Sequence, residues 1–246
     1  MAGLVNCSHD VISKIERGDR PPAKEFPERL DAVPQLDTRG ELARIWKKLS
    51  KGFKNRAIPG WFRPFTEVEA EASVLRSYQP LLVPGLFQIE DYARAILAAE
   101  PGSTPESVED QVAARMARQA ILDRPDAPQL WHLLDEAVLH RCVGSRKTMH
   151  EQLEHLIGLT EHPKVSIQIV PASTGEHAGL LGAFVIADVE SSASMVYLET
   201  ASEGLVTDSP ATLAHVTFRF ESLRSEALPR SASRDLITRI DEERWT

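Results

Sequence analysis

The stretch Tyr78-Gln79-Pro80-Leu81-Leu82-Val83-Pro84-Gly85-Leu86-Phe87-Gln88, here called the proline elbow, organises our interpretation of the whole chain. Its two prolines fix φ and bias the residues before them toward extended conformations, so the run is stiff and bent. Gly85 provides the freedom needed for a tight turn. Residues 89–99 then show the apolar spacing of a helix, with Glu90 and Asp91 in its first turn. A rigid apolar bend ahead of a helix N-terminus is suited to lining a small-molecule cleft, although a solidly packed bend shows the same spacing.

Residues 78–95 also carry a specific motif. They resemble the start of a domain of unknown function that follows the helix-turn-helix of many bacterial XRE-type regulators. The pattern of that family runs tyrosine, any residue, Pro-Leu-Leu-Val-Pro-Gly-Leu-Leu-Gln-Thr-Glu-Asp-Tyr-Ala-Arg-Ala, and this chain departs from it mildly at Phe87 and Ile89. Further matches lie at residues 115–119, 134–137, 152–156, 196–200 and 231–237. The resemblance implies a regulator with a DNA-binding head and a C-terminal domain that senses a small molecule or a small partner protein.

Residues 8–18 begin with an N-cap serine and end with a C-cap glycine, as a short helix does. They resemble the recognition helix of the XRE helix-turn-helix. That resemblance implies a set of DNA-contacting residues, the first four near base edges and the last near a phosphate: His9, Asp10, Ser13, Lys14 and Arg17. Only residues 1–7 precede this helix, and isolated helices shorter than ~12–15 residues are marginal in water. We therefore expect sequence-specific DNA binding to be weak or lost, unless the true start codon lies upstream.

Composition is that of an ordinary soluble protein, with 42% hydrophobic and 26% charged residues among 246. No apolar run approaches the ~18 residues of a membrane span. The N-terminus shows no positively charged start followed by an apolar stretch, so we do not expect an export signal. Cys7 and Cys142 fit no metal or redox spacing, so we expect a cytoplasmic protein. Residues 1–65 hold 13 Lys and Arg against 8 Asp and Glu, whereas residues 66–246 hold 15 against 28. This asymmetry fits a DNA-binding head on a sensing domain, and equally a basic arm docked on its own acidic body.

The remaining pattern mixes helices and strands without regular βαβ alternation. Helical spacing covers residues 41–49, 66–76, 104–121, 146–160 and 209–223, and a further helix starts at residue 231. Alternating runs at residues 129–134, 165–170, 183–188 and 195–199 predict strands. The predicted fold is α+β, with a small, mostly antiparallel sheet packed with helices, preceded by a short all-α remnant of a helix-turn-helix. We assign residues 1–60 to the truncated helix-turn-helix and a linker helix, and residues 61–246 to a ligand-binding domain.

The sequence contains no strong catalytic signature, such as a Gly-rich phosphate loop or a Gly-x-Ser-x-Gly motif. The spacing of His150 and His155, or of His132 and His140, could serve a metal ion, but without a third ligand a surface position is the better interpretation. We therefore expect no metal and no cofactor. The predicted ligand-binding set consists of residues on the elbow and on or beside the predicted strands and helices: Tyr78, Gln79, Phe87, Gln88, Arg115, Trp131, His177 and Phe184.

Glu136, Tyr197 and Glu199 are the candidates for acid–base catalysis if the protein is an enzyme. Strand alternation places Tyr197 and Glu199 on one face of their strand, and Trp131 and Leu133 on one face of another. If these faces converge on the elbow, they enclose an apolar cavity in which a desolvated carboxylate would have a raised pKa. The simpler alternative is that both glutamates form structural ion pairs with arginines.

Three functions fit these observations. The first is a small-molecule-binding protein descended from XRE-type regulators, with an apolar ligand. The second is a cofactor-free enzyme, such as a cyclase or isomerase of specialised metabolism, acting on an apolar metabolite through Glu and Tyr. The third is an interaction module for a small partner protein. No membrane association is expected, and a homodimer is compatible with all three.

Overall fold

The computed structural model describes residues 25–33, 38, 40–44, 62–190, 193–200 and 204–246. The chain divides into two compact units, Met1–Ala57 and Ile58–Thr246. In the first unit, helix α1 (Glu25–Asp31) ends at Asp31, whose carboxylate accepts the backbone N–H groups of Leu42 and Ala43 at 3.2 and 2.8 Å. The residues predicted to contact DNA, namely His9, Asp10, Ser13, Lys14 and Arg17, lie outside the described residues, so that expectation stays a prediction.

The second unit contains the sheet and most of the helices. Its helices are α2 (Arg63–Glu71), α3 (Glu90–Ala98), α4 (Pro105–Gln119), α5 (Ala137–His140), α6 (Arg146–Leu159), α7 (Pro210–Glu226) and α8 (Arg230–Ile240), followed by a π-helical turn at Asp241–Trp245. Its strands are β1 (Val74–Gln79), β2 (Gln129–Asp135), β3 (Val165–Val170), β4 (Phe184–Asp188), β5 (Met195–Glu199) and β6 (Gly204–Thr207). Short 3₁₀ turns lie at Gly85–Phe87, Ala120–Asp123, Ala172–Thr174 and Ala178–Leu181. None of the helices in the described ranges is long and apolar enough to cross a bilayer.

Local signals account for most of these boundaries. The side chain of Thr104 accepts the N–H of Ser107 while the Ser107 hydroxyl accepts the N–H of Thr104, a reciprocal cap that starts α4. Ser145 caps α6 by accepting the N–H of Thr148 at 3.1 Å. Pro210 occupies the first turn of α7, where its missing N–H costs nothing.

The strands form one sheet in the order β3-β2-β1-β4-β5-β6. Within the described residues, β1, β2 and β3 pair in parallel, whereas the β1–β4, β4–β5 and β5–β6 pairings are antiparallel. The α+β fold with a mostly antiparallel sheet is therefore confirmed. The two parallel pairings use crossovers through α3 and α4 and through α6, a feature that the sequence did not indicate.

The sheet is covered on both faces. On one face, here called the α7 face, Tyr78, Phe184 and Val196 pack against Phe220 and Leu223 of α7. The opposite face, here called the α6 face, carries the larger cluster, to which α3, α6 and α8 contribute buried side chains. Tyr92, Met149, Leu153, Leu156 and Ile237 belong to that cluster. The elbow packs on the α6 face as well, because Val83, Leu86 and Phe87 lie in the same cluster.

The prediction of one helix over residues 66–76 is wrong. Helix α2 ends at Glu71, and β1 begins at Val74, so Tyr78 and Gln79 lie on a central strand rather than on the bend itself. Two apolar residues, Ala72 and Leu75, fit helical spacing as well as they fit the end of a helix followed by a strand. Pairing with β2 and β4 on both sides decides the outcome.

Candidate functional site

Register divides the predicted site residues between the two faces of the sheet. Tyr78 is opposite Phe184 on β4, and Phe184 is opposite Leu198 on β5, so these three side chains share the α7 face. Tyr197 and Glu199 are the neighbours of Leu198 and therefore point to the α6 face, where the elbow lies. Several of the predicted residues thus form two groups, and the group on the α6 face lies against residues 83–88 of the elbow.

The group on the α6 face, here called the arginine site, comprises Gln88, Arg115, Arg118, Tyr197 and Glu199. Helix α4 brings two arginines beneath the elbow, one turn apart. A β-carbon added at Gly85 would lie 3.9 Å from Cδ and Nε of Arg115, so the backbone of the elbow runs close to that side chain. The two segments are held together by Gln119, whose Nε2 donates to the carbonyls of Gly85 and Gln88 at 3.0 and 2.7 Å.

Arg118 is fully engaged in an ion pair. Its Nε and Nη2 donate to the two carboxylate oxygens of Glu69 on α2 at 2.9 and 2.8 Å, and its guanidinium lies 4.8 Å from the ring centroid of Phe62. Burial raises the pKa of Glu69, and the guanidinium of Arg118 opposes that shift. This bidentate pair joins α2 to α4 and leaves Arg118 little freedom to bind anything else.

Arg115, in contrast, contacts a neutral side chain. Its Nη1 donates to Oε1 of Gln88 at 2.7 Å, and the Gln88 amide is itself oriented by donating from Nε2 to the Val83 carbonyl at 2.7 Å. Among the described residues, no carboxylate oxygen lies within 4.0 Å of the Arg115 guanidinium. Burial and the neighbouring charge of Arg118 lower the pKa of Arg115 to about 10, and the more distant Glu199 opposes the shift.

Tyr197 contributes a buried hydroxyl group to the arginine site. The residue is 4% exposed, and its ring packs against Phe65 at a centroid distance of 4.7 Å and against Phe62 at 5.3 Å. Within the part of the chain that the structure describes, its buried hydroxyl has no hydrogen-bond partner. Burial and the carboxylate of Glu199 raise the pKa of Tyr197, so the phenol keeps its proton.

Glu199 completes the arginine site at the end of β5. The residue is exposed as a whole, yet desolvation by the surrounding protein raises the pKa of its carboxyl group, and the charge of Arg115 opposes that shift. The site therefore offers a guanidinium, a neutral phenol and a carboxyl group that gains a proton more easily than usual. Such a set can donate hydrogen bonds to an oxygen-rich group and can exchange a proton with it.

The group on the α7 face is a closed hydrogen-bonded cluster. The hydroxyl of Tyr78 donates to Oδ2 of Asp135 at 3.0 Å, and Nε2 of His177 lies 3.3 Å from the same oxygen. Nδ1 of His177 accepts the N–H of Gly179 at 3.1 Å, so in the neutral ring the proton lies on Nε2, the nitrogen that faces Asp135. The ring of Phe184 lies 6.1 Å from that of Tyr78. Because each of these polar atoms is paired, the cluster serves to hold the loop around His177 against the sheet.

The other predicted residues have separate roles. Glu136 accepts the N–H of Ala172 at 2.8 Å and lies 3.3 Å from Nε2 of His140, so it anchors a turn instead of pairing with an arginine. Phe87 lies in the core with its ring centroid 4.5 Å from that of His132. Trp131 lies at the surface, with the guanidinium of Arg224 5.1 Å from its ring centroid.

The sequence assigned Gln79 to the site, where it has no role in either group, and it missed Asp135, which contacts Tyr78. Gln79 is the last residue of β1, half-buried and opposite Leu134 in register, and it belongs to neither group. Asp135 was not among the predicted site residues, although it is the carboxylate that meets Tyr78. Its position at the end of a strand next to Glu136 was the available signal, but the sequence does not tell which of two adjacent acids turns toward the sheet.

Comparison with known proteins identifies the domain without assigning it a function. No curated protein and no solved structure matches the chain. A family model described as a domain of unknown function, DUF5753, matches residues 62–239. This span covers the sheet, the elbow and the arginine site. The chain therefore belongs to the DUF5753 family.

Proposed function

We propose that residues 62–246 form a small-molecule-binding domain, of XRE-type regulator descent, whose ligand is an organic acid with an apolar body. The ligand would bind at the arginine site beneath the elbow. Its carboxylate or phosphate oxygens would accept hydrogen bonds from Arg115 and from the hydroxyl of Tyr197.

The lone guanidinium of Arg115 carries this proposal. Taking a charge out of water costs several kcal/mol unless an opposite charge and hydrogen bonds compensate. Arg118, one turn away, has that compensation in Glu69, whereas among the residues that the structure describes the only polar side chain bonded to Arg115 is the neutral amide of Gln88. An acidic ligand would supply the missing partner, and the planar guanidinium suits bidentate binding of a carboxylate or phosphate.

The surroundings of the guanidinium favour an apolar ligand body. The rings of Phe62, Phe65 and Tyr197 lie against one another on the same face of the sheet, and the elbow is built mainly of apolar residues. Binding sites for small molecules typically combine such apolar walls with a few oriented polar groups. The combination selects amphipathic acids over small inorganic anions.

The test compares acids with their uncharged counterparts. Octanoate, phenylpropionate and octyl phosphate are titrated into the full chain by calorimetry, each beside the methyl ester of the carboxylic acid or octanol for the phosphate. We expect the acids to bind and the neutral compounds to bind at least about tenfold more weakly, a difference of about 1.4 kcal/mol.

Two substitutions locate the binding. Arg115→Gln removes the charge and should abolish the preference for acids. Arg94→Gln removes a partly exposed arginine that is paired with Glu90, Asp91 and Glu109, and it should leave binding unchanged. Failure of all the acids to bind, or equal binding by the wild type and Arg115→Gln, would contradict the proposal.

The enzyme alternative is favoured by one feature, the placement of Tyr197 and Glu199 on the same face of β5. Both groups have a raised pKa, and a carboxyl group tuned in this way is suited to general acid–base catalysis. If the domain is an enzyme, a bound acid is converted during incubation, as mass spectrometry would reveal. Glu199→Gln should then stop conversion while leaving calorimetric affinity within a few fold of the wild type; recovery of an unchanged ligand after long incubation favours binding alone.

A further inference from the structure

We propose that His150, Glu154 and Asp241 form a binding site for a divalent transition-metal ion of the zinc class. His150 and Glu154 lie four residues apart on α6, so their side chains project from the same side of that helix. Asp241 is the first residue of the π-helical turn after α8, and its carboxylate contacts His150 from that separate element. One ligand atom from each of the three residues lies within 4.8 Å of the other two.

The distances suit a metal between these groups. Both carboxylate oxygens of Asp241 lie 2.9 Å from Nδ1 of His150. Two ligand atoms that each lie ~2.0–2.2 Å from a zinc ion are separated by about this distance, or slightly more, when the angle at the metal is between a right angle and a tetrahedral angle. A small movement apart of His150 and Asp241 therefore accommodates an ion without a change of backbone.

The carboxylate of Asp241 is the observation that points to a cation. This side chain is 7% exposed, and an ionised carboxylate offers about four lone-pair positions. Within the described residues its only donor is Nδ1 of His150, which has at most one hydrogen to share between two oxygens. The buried carboxylate is thus left with unfilled acceptor capacity, which a metal ion would satisfy.

The charges of the cluster also favour a cation, because its two carboxylates are not neutralised by a lysine or arginine in the described part of the chain. The nearby Lys147 lies 3.5 Å from Glu151 instead. An imidazole nitrogen with two carboxylates suits zinc, nickel or cobalt better than calcium or magnesium, which prefer oxygen ligands alone. Three protein ligands leave a fourth position for water, and the ion would link α6 to the C-terminal turn.

The experiment uses the full chain with any affinity tag removed, because a polyhistidine tag would bind the same ions. After treatment with a chelator and desalting, the protein is titrated with zinc chloride by calorimetry, and with cobalt chloride by visible absorption. We expect one ion per chain, cobalt bands of a low-coordinate site, and a melting temperature raised by zinc.

Three substitutions make the result specific. His150→Ala and Glu154→Ala should each weaken zinc binding at least about tenfold and remove the thermal shift. Glu154 is exposed, so its replacement leaves folding intact even if replacement of Asp241 does not. His155→Ala changes an exposed histidine on the same helix and should bind like the wild type. Absence of stoichiometric binding, or equal binding by the wild type and Glu154→Ala, would overturn the proposal.

Discussion

Single polar side chains fix the elbow in place. The amide of Gln152, fully buried on α6, accepts the N–H of Ile89 at 2.9 Å and donates to the carbonyl of Phe87 at 2.7 Å. Both backbone groups lie just ahead of α3, outside regular strand or helix pairing. An unpaired buried backbone group costs about 1–3 kcal/mol, so the hydrogen bonds from this one glutamine stabilise the elbow as pairing with a neighbouring strand stabilises a β-strand. The position of Gln88, and with it the contact to Arg115, depends on this anchoring.

At the same scale, His132 predicts a pH dependence of stability. The ring is buried on the α6 face, its Nδ1 contacts the hydroxyl of Ser77, and burial lowers its pKa to about 3. In the unfolded chain the pKa is about 6.5, so between about pH 3 and 6.5 the unfolded state binds more protons than the folded state. The contribution of neutral His132 to the free energy of unfolding is therefore fully present above about pH 6.5, and it decreases as the pH is lowered below that value.

The measurement is urea unfolding at several pH values from about 7 down to about 5. The slope of unfolding free energy against pH should be steeper in the wild type than in His132→Leu, by up to about 1.4 kcal/mol per pH unit. Other titrating groups contribute equally to both proteins and cancel in the difference. Parallel curves for the two proteins would show that His132 is not held neutral by the fold.

The close packing of Gly179 against Tyr78 predicts that a larger residue at position 179 would destabilise the fold. A β-carbon added there would lie 2.3 to 2.7 Å from the ring and hydroxyl of Tyr78, which is fully buried and cannot move aside. Gly179→Ala should therefore destabilise the protein by about 1–3 kcal/mol and disturb the hydrogen bond from Tyr78 to Asp135. Gly158→Ala is the matched control, since it lies within helix α6 with open space around it, and we expect it to stabilise by about 0.5–1 kcal/mol. Chemical unfolding measures both, and equal effects of the two substitutions would contradict the clash.

At the scale of elements, the ion pair between Glu69 and Arg118 joins α2 to α4 under the elbow. Glu69→Gln leaves the half-buried guanidinium of Arg118 without its counter-charge and should lower the free energy of unfolding by about 1–3 kcal/mol. The double variant with leucine at both positions should cost much less than the sum of the two single leucine variants, because it removes both charges together. A double-mutant cycle by denaturant unfolding checks this, and additive single effects would show that the two side chains do not depend on each other.

At the scale of the whole molecule, the C-terminal turn belongs to the core even though the family match ends at residue 239. Trp245 is 6% exposed, packs in the cluster on the α6 face and donates from Nε1 to the carbonyl of Leu139 at 2.9 Å. Trp245→Ala should therefore lower the free energy of unfolding by about 3–5 kcal/mol. Trp131→Ala removes a tryptophan that is 37% exposed and should cost no more than about 1 kcal/mol. Thermal unfolding of the two variants side by side measures the difference, and a similar loss in both would exclude a structural role for the terminal turn.

The sequence by itself determined the features that depend on neighbours along the chain. The cap at Thr104, the proline start of α7, the alternation in β3 and the helix after the elbow were predicted and are present. Each of these signals acts within a few residues, through a capping hydrogen bond, a fixed φ or a repeated spacing. Mixed helices and strands without regular alternation likewise led to the correct fold class.

Only the tertiary structure decided which residues meet. The antiparallel pairing of β1 with β4 and of β4 with β5 places Tyr78 and Tyr197 on opposite faces of the sheet, and strand register is a relation between segments distant in sequence. Arg115 and Arg118 look alike in the sequence, yet only Arg118 reaches Glu69, because the position of α2 beside α4 sets that contact. The sequence gives the chemical type of each side chain, but packing between elements decides which side chains come into contact. A functional site consists of such contacts, so its composition follows from the tertiary structure.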